Sequence, residues 1–352
     1  MILMADEDYM RLAIQAAKEG HDTWTNPHVG ACIVKDGQVL ATGCHYHYGR
    51  EHAERNAINK LTPEQLFGST IYVTLEPCSH YGKQPPCAEL LVQSGFKKVV
   101  VAALDPHPLV TGKGIKILED AGIEVEVGLL AKEARALNPF YNFYYEHGRP
   151  YISLKQAITL DGKVAVKGER TPITNAAVKK QVLQERGDYQ AIMVGAKTAI
   201  IDNPTLLTSK EGDFPPIRVV VDRRGRLLDH LDLKLLQTGP ETWVLTLNED
   251  LANTVFPDNV HVLLLPGRKA RDIAQLLGEK GIQSVYLEGG PTLAKAFLDA
   301  DLADDLITYL APFYLGKQTT NGVNSQETLQ LTDTKIQTFN DNIRIYGRIQ
   351  HV

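Results

Sequence analysis

Residues 52–87 read HAERNAINKLTPEQLFGSTIYVTLEPCSHYGKQPPC, and the order of chemistry in this stretch decides the reading of the first half of the chain. His52-Ala53-Glu54 opens a helical pattern, residues 69–77 form an apolar strand, and Cys78 and Cys87 follow it with eight residues between them. One imidazole and two thiolates suit zinc, which takes nitrogen and sulfur ligands tetrahedrally; three protein ligands leave a fourth position for water. Residues two apart do not share a helix face, so His52 and Glu54 can address one site only from a helix's first turn, end-on. Thiolates beside a second helix N-terminus gain from its dipole and from the metal. A carboxylate that stands beside the water without ligating is what hydrolytic attack needs. The same residues carry plainer alternatives. These are an ordinary helix start, a pair of buried core thiols, and a structural metal whose fourth ligand is His45, His47 or His80.

Outward from this stretch the chain alternates strand and helix. Asp6 is placed to cap a helix faced by Leu12, Ala13, Ala16 and Ala17 and stopped at Gly20. Residues 29–47 then read as two strands joined by the Asp36–Gly37 turn. After Cys87 come a helix, a strand at residues 97–105, a helix at Lys113–Asp120 and a strand at residues 123–128. The expectation is a mixed sheet with helices on both faces, complete by about residue 128. Residues 131–147 read as one bridging helix rich in Tyr and Phe, whose ordinary role is packing between domains. Gly148–Arg149–Pro150 breaks it, setting domains of residues 1–147 and 148–352.

The chain has 352 residues, a length suited to two domains. Charged residues balance to a formal −5, against a protein that coats nucleic acid. No apolar run reaches the ~18–20 residues of a membrane span, and the acidic start lacks the positive charge of a secretion signal, so a cytoplasmic protein is expected. Four cysteines in such a chain do not make a disulfide framework. In the second half, continuous apolar strands alternate with helices, the pattern of a largely parallel sheet covered on both faces. LEGGPTLAKAFL (residues 287–298) is a strand, a Gly-Gly turn and a helix, where backbone N–H groups can meet a phosphate. Arg223 and Arg224 follow a strand, placed either to meet an extra ribose phosphate or to lie in solvent.

The set His52, Glu54, Cys78 and Cys87 resembles the zinc deaminases, with His and two Cys on the metal and Glu as acid/base. The long inter-cysteine insertion ending Pro-Pro-Cys is similar to the deaminase half of the bifunctional riboflavin-biosynthesis deaminase–reductases. The resemblance extends to residues 26–30 (NPHVG), Gly43–His45 and residues 105–108 (DPHP), where the family usually carries Asn at the position of His107. Four segments match the same family's reductase domain in order: residues 153–163, 194–198, 202–206 and 287–292. It implies two tandem α/β domains, one cytidine-deaminase-like and one dihydrofolate-reductase-like, with one Zn2+ per chain and NADPH as cofactors. The implied deaminase substrate contacts are Asn26, His45 and Lys83.

In the reductase the resemblance implies Lys155 and Asp202 at the chemistry and Arg170, Arg186, Leu206 and Glu288 at the substrate. It assigns Ala157, Pro172, Thr198, Asp202, Gly290, Pro291 and Thr292 to the dinucleotide. A substrate-binding Arg of some members is replaced here by Ser209, with Lys210 adjacent. The implied reactions are deamination of a diaminopyrimidinone bearing a phosphoribosylamino group, then reduction of the ribosyl chain to ribityl. The expected partners are this small phosphorylated pyrimidine and further copies of the chain, with no nucleic acid and no membrane. Two rivals are a nucleoside or tRNA deaminase with a C-terminal recognition domain, and a zinc-stabilised binding module without catalysis.

Overall fold

Asp36 and Gly37 both take positive φ (51° and 76°), the combination that a two-residue hairpin turn of the right twist requires. They join β1 (Gly30–Lys35) to β2 (Gln38–Cys44), with Lys35 opposite Gln38. In the computed structural model, which describes residues 4–81, 85–237 and 239–351, this hairpin is the edge of a five-stranded sheet. Beside β1 lies antiparallel β3 (Thr70–Val73), then β4 (Lys98–Val101) and β5 (Glu124–Val127), both parallel to their neighbours. Period-two alternation sends β1 residues to opposite sides. Ala31 and Ile33 pack with Ala53, Ala57 and Leu91, whereas Cys32 and Val34 pack with Met10, Ala13 and Ile14. Both faces are therefore covered, by α1 (Asp6–Ala17) on one side and by α2 (Ala53–Ile58), α4 (Cys87–Gln93) and α5 (Lys113–Asp120) on the other.

Local reasons explain where the helices differ from expectation. Ala5, not Asp6, occupies the cap of α1, and the Asp8 carboxylate accepts the Ala5 N–H at 3.0 Å. The helix expected from His52 ends at Ile58, and a separate turn, α3 (Pro63–Leu66), begins at a proline. The expected single helix of residues 131–147 is two, α6 (Ala131–Arg135) and α7 (Pro139–His147), because Pro139 lacks an N–H and disfavours helix at the residue before it. The Asn138 side chain freed by this break clamps the His28 backbone, accepting its N–H at 2.6 Å and donating to its carbonyl at 2.8 Å.

Two units emerge by backbone contact, Met1–His147 and Gly148–Val352. The second is built on a nine-stranded sheet in the order β11-β10-β9-β8-β12-β6-β13-β16-β15. Its parallel body comprises β11 (Val260–Leu264), β10 (Thr242–Thr246), β9 (Ile217–Asp222), β8 (Ala191–Gly195), β12 (Ser284–Leu287), β6 (Tyr151–Thr159) and β13 (Asp305–Ala311). β9, β10 and β12 are buried along their whole length, as continuous apolar runs require. An antiparallel hairpin of β15 (Leu329–Phe339) and β16 (Asn342–His351) completes one edge, and β7 (Lys163–Val166) pairs with β14 (Thr319–Asn321) in a small separate ribbon. The helices are α8 (Ala176–Arg186), α9 (Ala196–Asp202), α10 (Glu249–Ala252), α11 (Ala270–Glu279) and α12 (Pro291–Leu298). Among the described residues no helix is long and apolar enough to cross a membrane.

Candidate active sites

Gly43 fixes the start of α2. A Cβ there would lie 2.5 Å from Ala53 O and Ala57 N, so the helix rests directly on the β2 backbone. His52 is consequently the cap residue and Glu54 lies in the first turn, end-on as the spacing requires. From across β3, Cys78 and the first residue of α4, Cys87, bring both Sγ atoms to 3.5 Å from His52 Nδ1. The three donor atoms lie within 4.8 Å of one another; among the described residues His45, His47 and His80 do not join them. All four cysteines are free thiols. One imidazole and two thiols, undisulfided and converging, fit zinc and leave one coordination position open. The thiols titrate as a pair: hydrogen bonding to Cys87 and His52 pulls Cys78 down to about 4, while the same hydrogen bond and burial push Cys87 up.

Glu54 is 3% exposed, and burial, reinforced by the Cys78 charge, raises its carboxyl above the ordinary range. It opens on a cleft of about 270 Å3 also lined by Asn26 and His45. His45 Nδ1 donates to Glu51 O at 2.9 Å, which makes Nε2 the acceptor, and the Asn26 amide lies 3.1 Å from it. The Asn26 carbonyl oxygen is thereby left for another donor. Lys83 lies outside the described residues.

The sequence reading missed one wall of this cleft. Asp105 is buried, accepts the His107 N–H and the Tyr141 hydroxyl, and is raised to about 6 by burial. Tyr141 and Tyr145 line the cleft too, and the His107 ring lies on Tyr145 at 4.4 Å. The aromatic stripe of α7 thus serves the first unit's own cleft. The DPHP segment and the tyrosine run were the available signals, but their contact is long-range.

Glu76 receives the N–H groups of Gly112 and Gly114 at 3.0 Å each, docking the start of α5 behind the Pro77–Cys78 peptide. A Cβ at Gly114 would sit 2.0 Å from Pro77 O. Overpacking of this kind costs about 1–3 kcal/mol. Gly114→Ala is therefore expected to displace Cys78 and weaken zinc retention about five- to hundredfold, measured by competition with a chelator. Unchanged retention would show that α5 does not hold the cysteine loop.

In the second unit, Glu288, just beyond β12, meets Arg186 at the end of α8 through a two-point pair, Nε–Oε1 2.6 Å and Nη2–Oε2 3.0 Å. Lys155 Nζ on β6 stands 3.7 Å from Oε2. Burial would raise the Glu288 carboxyl, but Arg186 and Lys155 outweigh it and hold the group below its ordinary value. Burial raises Asp202, the last residue of α9, and the charge of Arg170 opposes that rise. The turns entering α9 and α12 adjoin, since a Cβ at Gly290 would lie 3.1 Å from Thr198 Oγ1. Bare backbone there, with Pro291 and Thr292 opening α12, can accept a phosphate closely. This cradle fits a dinucleotide.

Other expected residues sit differently. The Leu206 side chain is in the core beside Ile192 and Ala199, its backbone at φ 50°. Ala157 packs partly buried against the Tyr309 cluster. Arg170 and Pro172 are exposed, as is Ser209, and Lys210 is ion-paired with Asp188. Arg223 donates to Arg268 O at 2.6 Å.

Three convergent donors that fit zinc, with a buried carboxylate beside them and outside that set, are the arrangement of a hydrolytic deaminase, here followed by a second domain whose cradle fits a dinucleotide. Comparison with known families gives the same division. Residues 3–103 match the cytidine and deoxycytidylate deaminase zinc-binding region, and residues 150–345 match the RibD C-terminal domain. The chain belongs to the RibD family, the bifunctional deaminase–reductases of riboflavin biosynthesis. It is 42% identical to the riboflavin biosynthesis protein RibD of Actinobacillus pleuropneumoniae over 95% of this chain and 90% of that one. The solved structure of Acinetobacter baumannii RibD is similar at TM-score 0.87 and 38% identity, covering 98% and 99% of the two chains. A diaminohydroxyphosphoribosylaminopyrimidine deaminase/5-amino-6-(5-phosphoribosylamino)uracil reductase from Thermotoga maritima follows at 0.83 and 33%, covering 97% and 98%.

Proposed function

We propose that the first unit hydrolyses 2,5-diamino-6-(phosphoribosylamino)pyrimidin-4-one and that the second reduces the deaminated product's ribosyl group to ribityl. The observation that carries this reading is Glu54, buried beside the convergent His52, Cys78 and Cys87 and facing the Asn26–His45 pair. Zinc held by these three residues supplies a Lewis acid that makes water nucleophilic at neutral pH. Glu54 accepts one proton of the attacking water and passes it to the ring nitrogen, then takes the remaining hydroxyl proton and gives it to the departing amine. The carbon–nitrogen bond breaks, ammonia leaves, and a carbonyl remains. Asn26, its amide oriented by His45, offers both a donor and an acceptor to the pyrimidine edge. Lys83 supplies charge for the substrate phosphate.

NADPH, cradled by Thr198 and the Gly290–Thr292 turn, supplies hydride. Lys155 and Asp202 are the proton-moving groups of this reading. Ring opening breaks the ribosyl C1–O4 bond and places a proton on O4, leaving a C1=N bond. Hydride adds to C1, and the nitrogen takes the electron pair and a proton. Arg186 and Glu288, already paired with each other, form the polar wall against the substrate. Arg170 and the backbone of Leu206 complete that wall, while Ala157 and Pro172 flank the dinucleotide.

Product analysis tests the reading: the purified protein with the diaminopyrimidinone phosphate should release ammonia alone, and form the ribityl product only when NADPH is added. Ammonia release without any later NADPH oxidation would remove the reductase half. The reading also places the enzyme in the cytoplasm, where its zinc-site thiols stay reduced, and as a homo-oligomer, which sedimentation tests.

The boundary at Gly148 gives each unit its own buried clusters. A chain beginning there is expected to fold, bind NADPH and reduce the deaminated intermediate in a zinc-free buffer. A soluble, folded fragment that fails to bind NADPH in titration would overturn the assignment of the reductase to this unit.

A further inference from the structure

Lys155 has fewer holds than its surroundings suggest. Arg186 donates to both oxygens of Glu288 at 2.6 and 3.0 Å, and the Lys155 ammonium pairs with Oε2 only at 3.7 Å, an ion pair longer than a hydrogen bond. The side chain is only 15% exposed, so little water steadies it either. What does face the ammonium is an aromatic ring. Tyr309 on β13 lies on the same sheet face as Lys155, opposite Ala157, and the Lys155 Nζ is 5.9 Å from its ring centroid. An ammonium within about 6 Å of a ring face is drawn to its negative quadrupole.

The ring is itself immobile. Tyr309 is fully buried, packs with Val178, Val182 and Tyr286, and meets Phe339 edge-on at 6.2 Å. Among the described residues its hydroxyl makes no hydrogen bond of ordinary geometry, although the Glu185 and Arg344 charges lie close enough to act on it. The neighbouring Glu185 carboxylate is instead occupied by the Tyr286 hydroxyl at 2.6 Å and Arg344 Nε at 2.7 Å. What Tyr309 presents to Lys155 is therefore its ring and not its hydroxyl.

We propose that Tyr309 is a positioning residue of the reductase, its ring face holding the Lys155 ammonium at the place where the substrate's C1 and O4 react. The inference rests on the role given to Lys155 above and deepens it. Glu288 sets the charge of the site, and Tyr309 sets where the lysine stands. The hydroxyl is dispensable and the ring's electron density is not.

The test is single-turnover NADPH oxidation with the deaminated substrate, using full-length protein. Tyr309→Phe is expected to stay within twofold of the parent. Progressively fluorinated phenylalanines at position 309 keep the shape and drain the ring's negative face. They should slow hydride transfer stepwise to about tenfold, with KM for NADPH, ammonia release and the thermal midpoint unchanged. Tyr309→Leu should match the most fluorinated ring, and in a Lys155→Met background should add less than twofold, the coupling expected of groups acting through one contact. A flat fluorination series, or a Tyr309→Phe variant as slow as the leucine, overturns the inference alone. A Lys155→Met variant that reduces at the parental rate removes the role of Lys155 itself, and the inference with it.

Discussion

Glu54→Gln is expected to abolish most deamination, by about two to four orders of magnitude, while leaving zinc content, fold and NADPH-dependent reduction intact. The substitution keeps shape and removes only the ability to take up a proton. Glu54 is 3% exposed in the first turn of α2, and a neutral amide is easier to bury than a carboxylate, so the helix should not loosen. Nor does the side chain belong to the convergent donor set, so the metal should stay. Ammonia release from the diaminopyrimidinone phosphate measures the first effect, and NADPH oxidation with pre-deaminated substrate the second. Near-parental ammonia release would return the site to a structural zinc in a module without hydrolytic chemistry.

Cys78→Ser is expected to lose zinc and ammonia release together, the latter by at least about a hundredfold. A ligand must be deprotonated to bind, and an alcohol does not ionise near neutrality as a thiol in this setting does. Cys78 also accepts the Cys87 N–H at 3.3 Å, so it orients the partner thiol as well as offering its own. Only His52 and Cys87 would remain, too few to close a tetrahedral set. Metal analysis of the dialysed variant decides the matter. Full retention of zinc would sink the His52–Cys78–Cys87 assignment, whatever the activity.

What the sequence made legible was local chemistry. The Asp36–Gly37 turn, the end-on placement of His52 and Glu54, and the continuous apolar strands of the second unit each follow from residues a few positions apart. The helix break at Asn138–Pro139 was equally local and was overridden by the aromatic pattern around it. The β15–β16 hairpin escaped because its outer strand is largely exposed and polar, leaving little hydrophobic periodicity to detect. Site contacts made across sheets escaped for another reason. Tyr141 reaches Asp105 over 36 residues, and Lys155 faces Tyr309 only because β6 pairs with β13. The core position of the Leu206 side chain is likewise not legible from its short motif, because its cluster partners come from distant strands.

The clamp of Asn138 on His28 bears on how such a gene could be recombined. The matched deaminase region stops at residue 103 and the sheet at Val127, so either point looks like a natural seam for exchange. A cut at residue 103 would lose the α5 support behind Cys78, and a cut after Val127 would keep it with the three donor residues. Either would leave behind Tyr141, Tyr145 and the amide that anchors the loop next to Asn26. The hybrid would keep Asn26 and His45 but lose one wall of the cleft around them. The inheritable unit is set by the wall of the cleft and not by the edge of the sheet, which places its seam at Gly148.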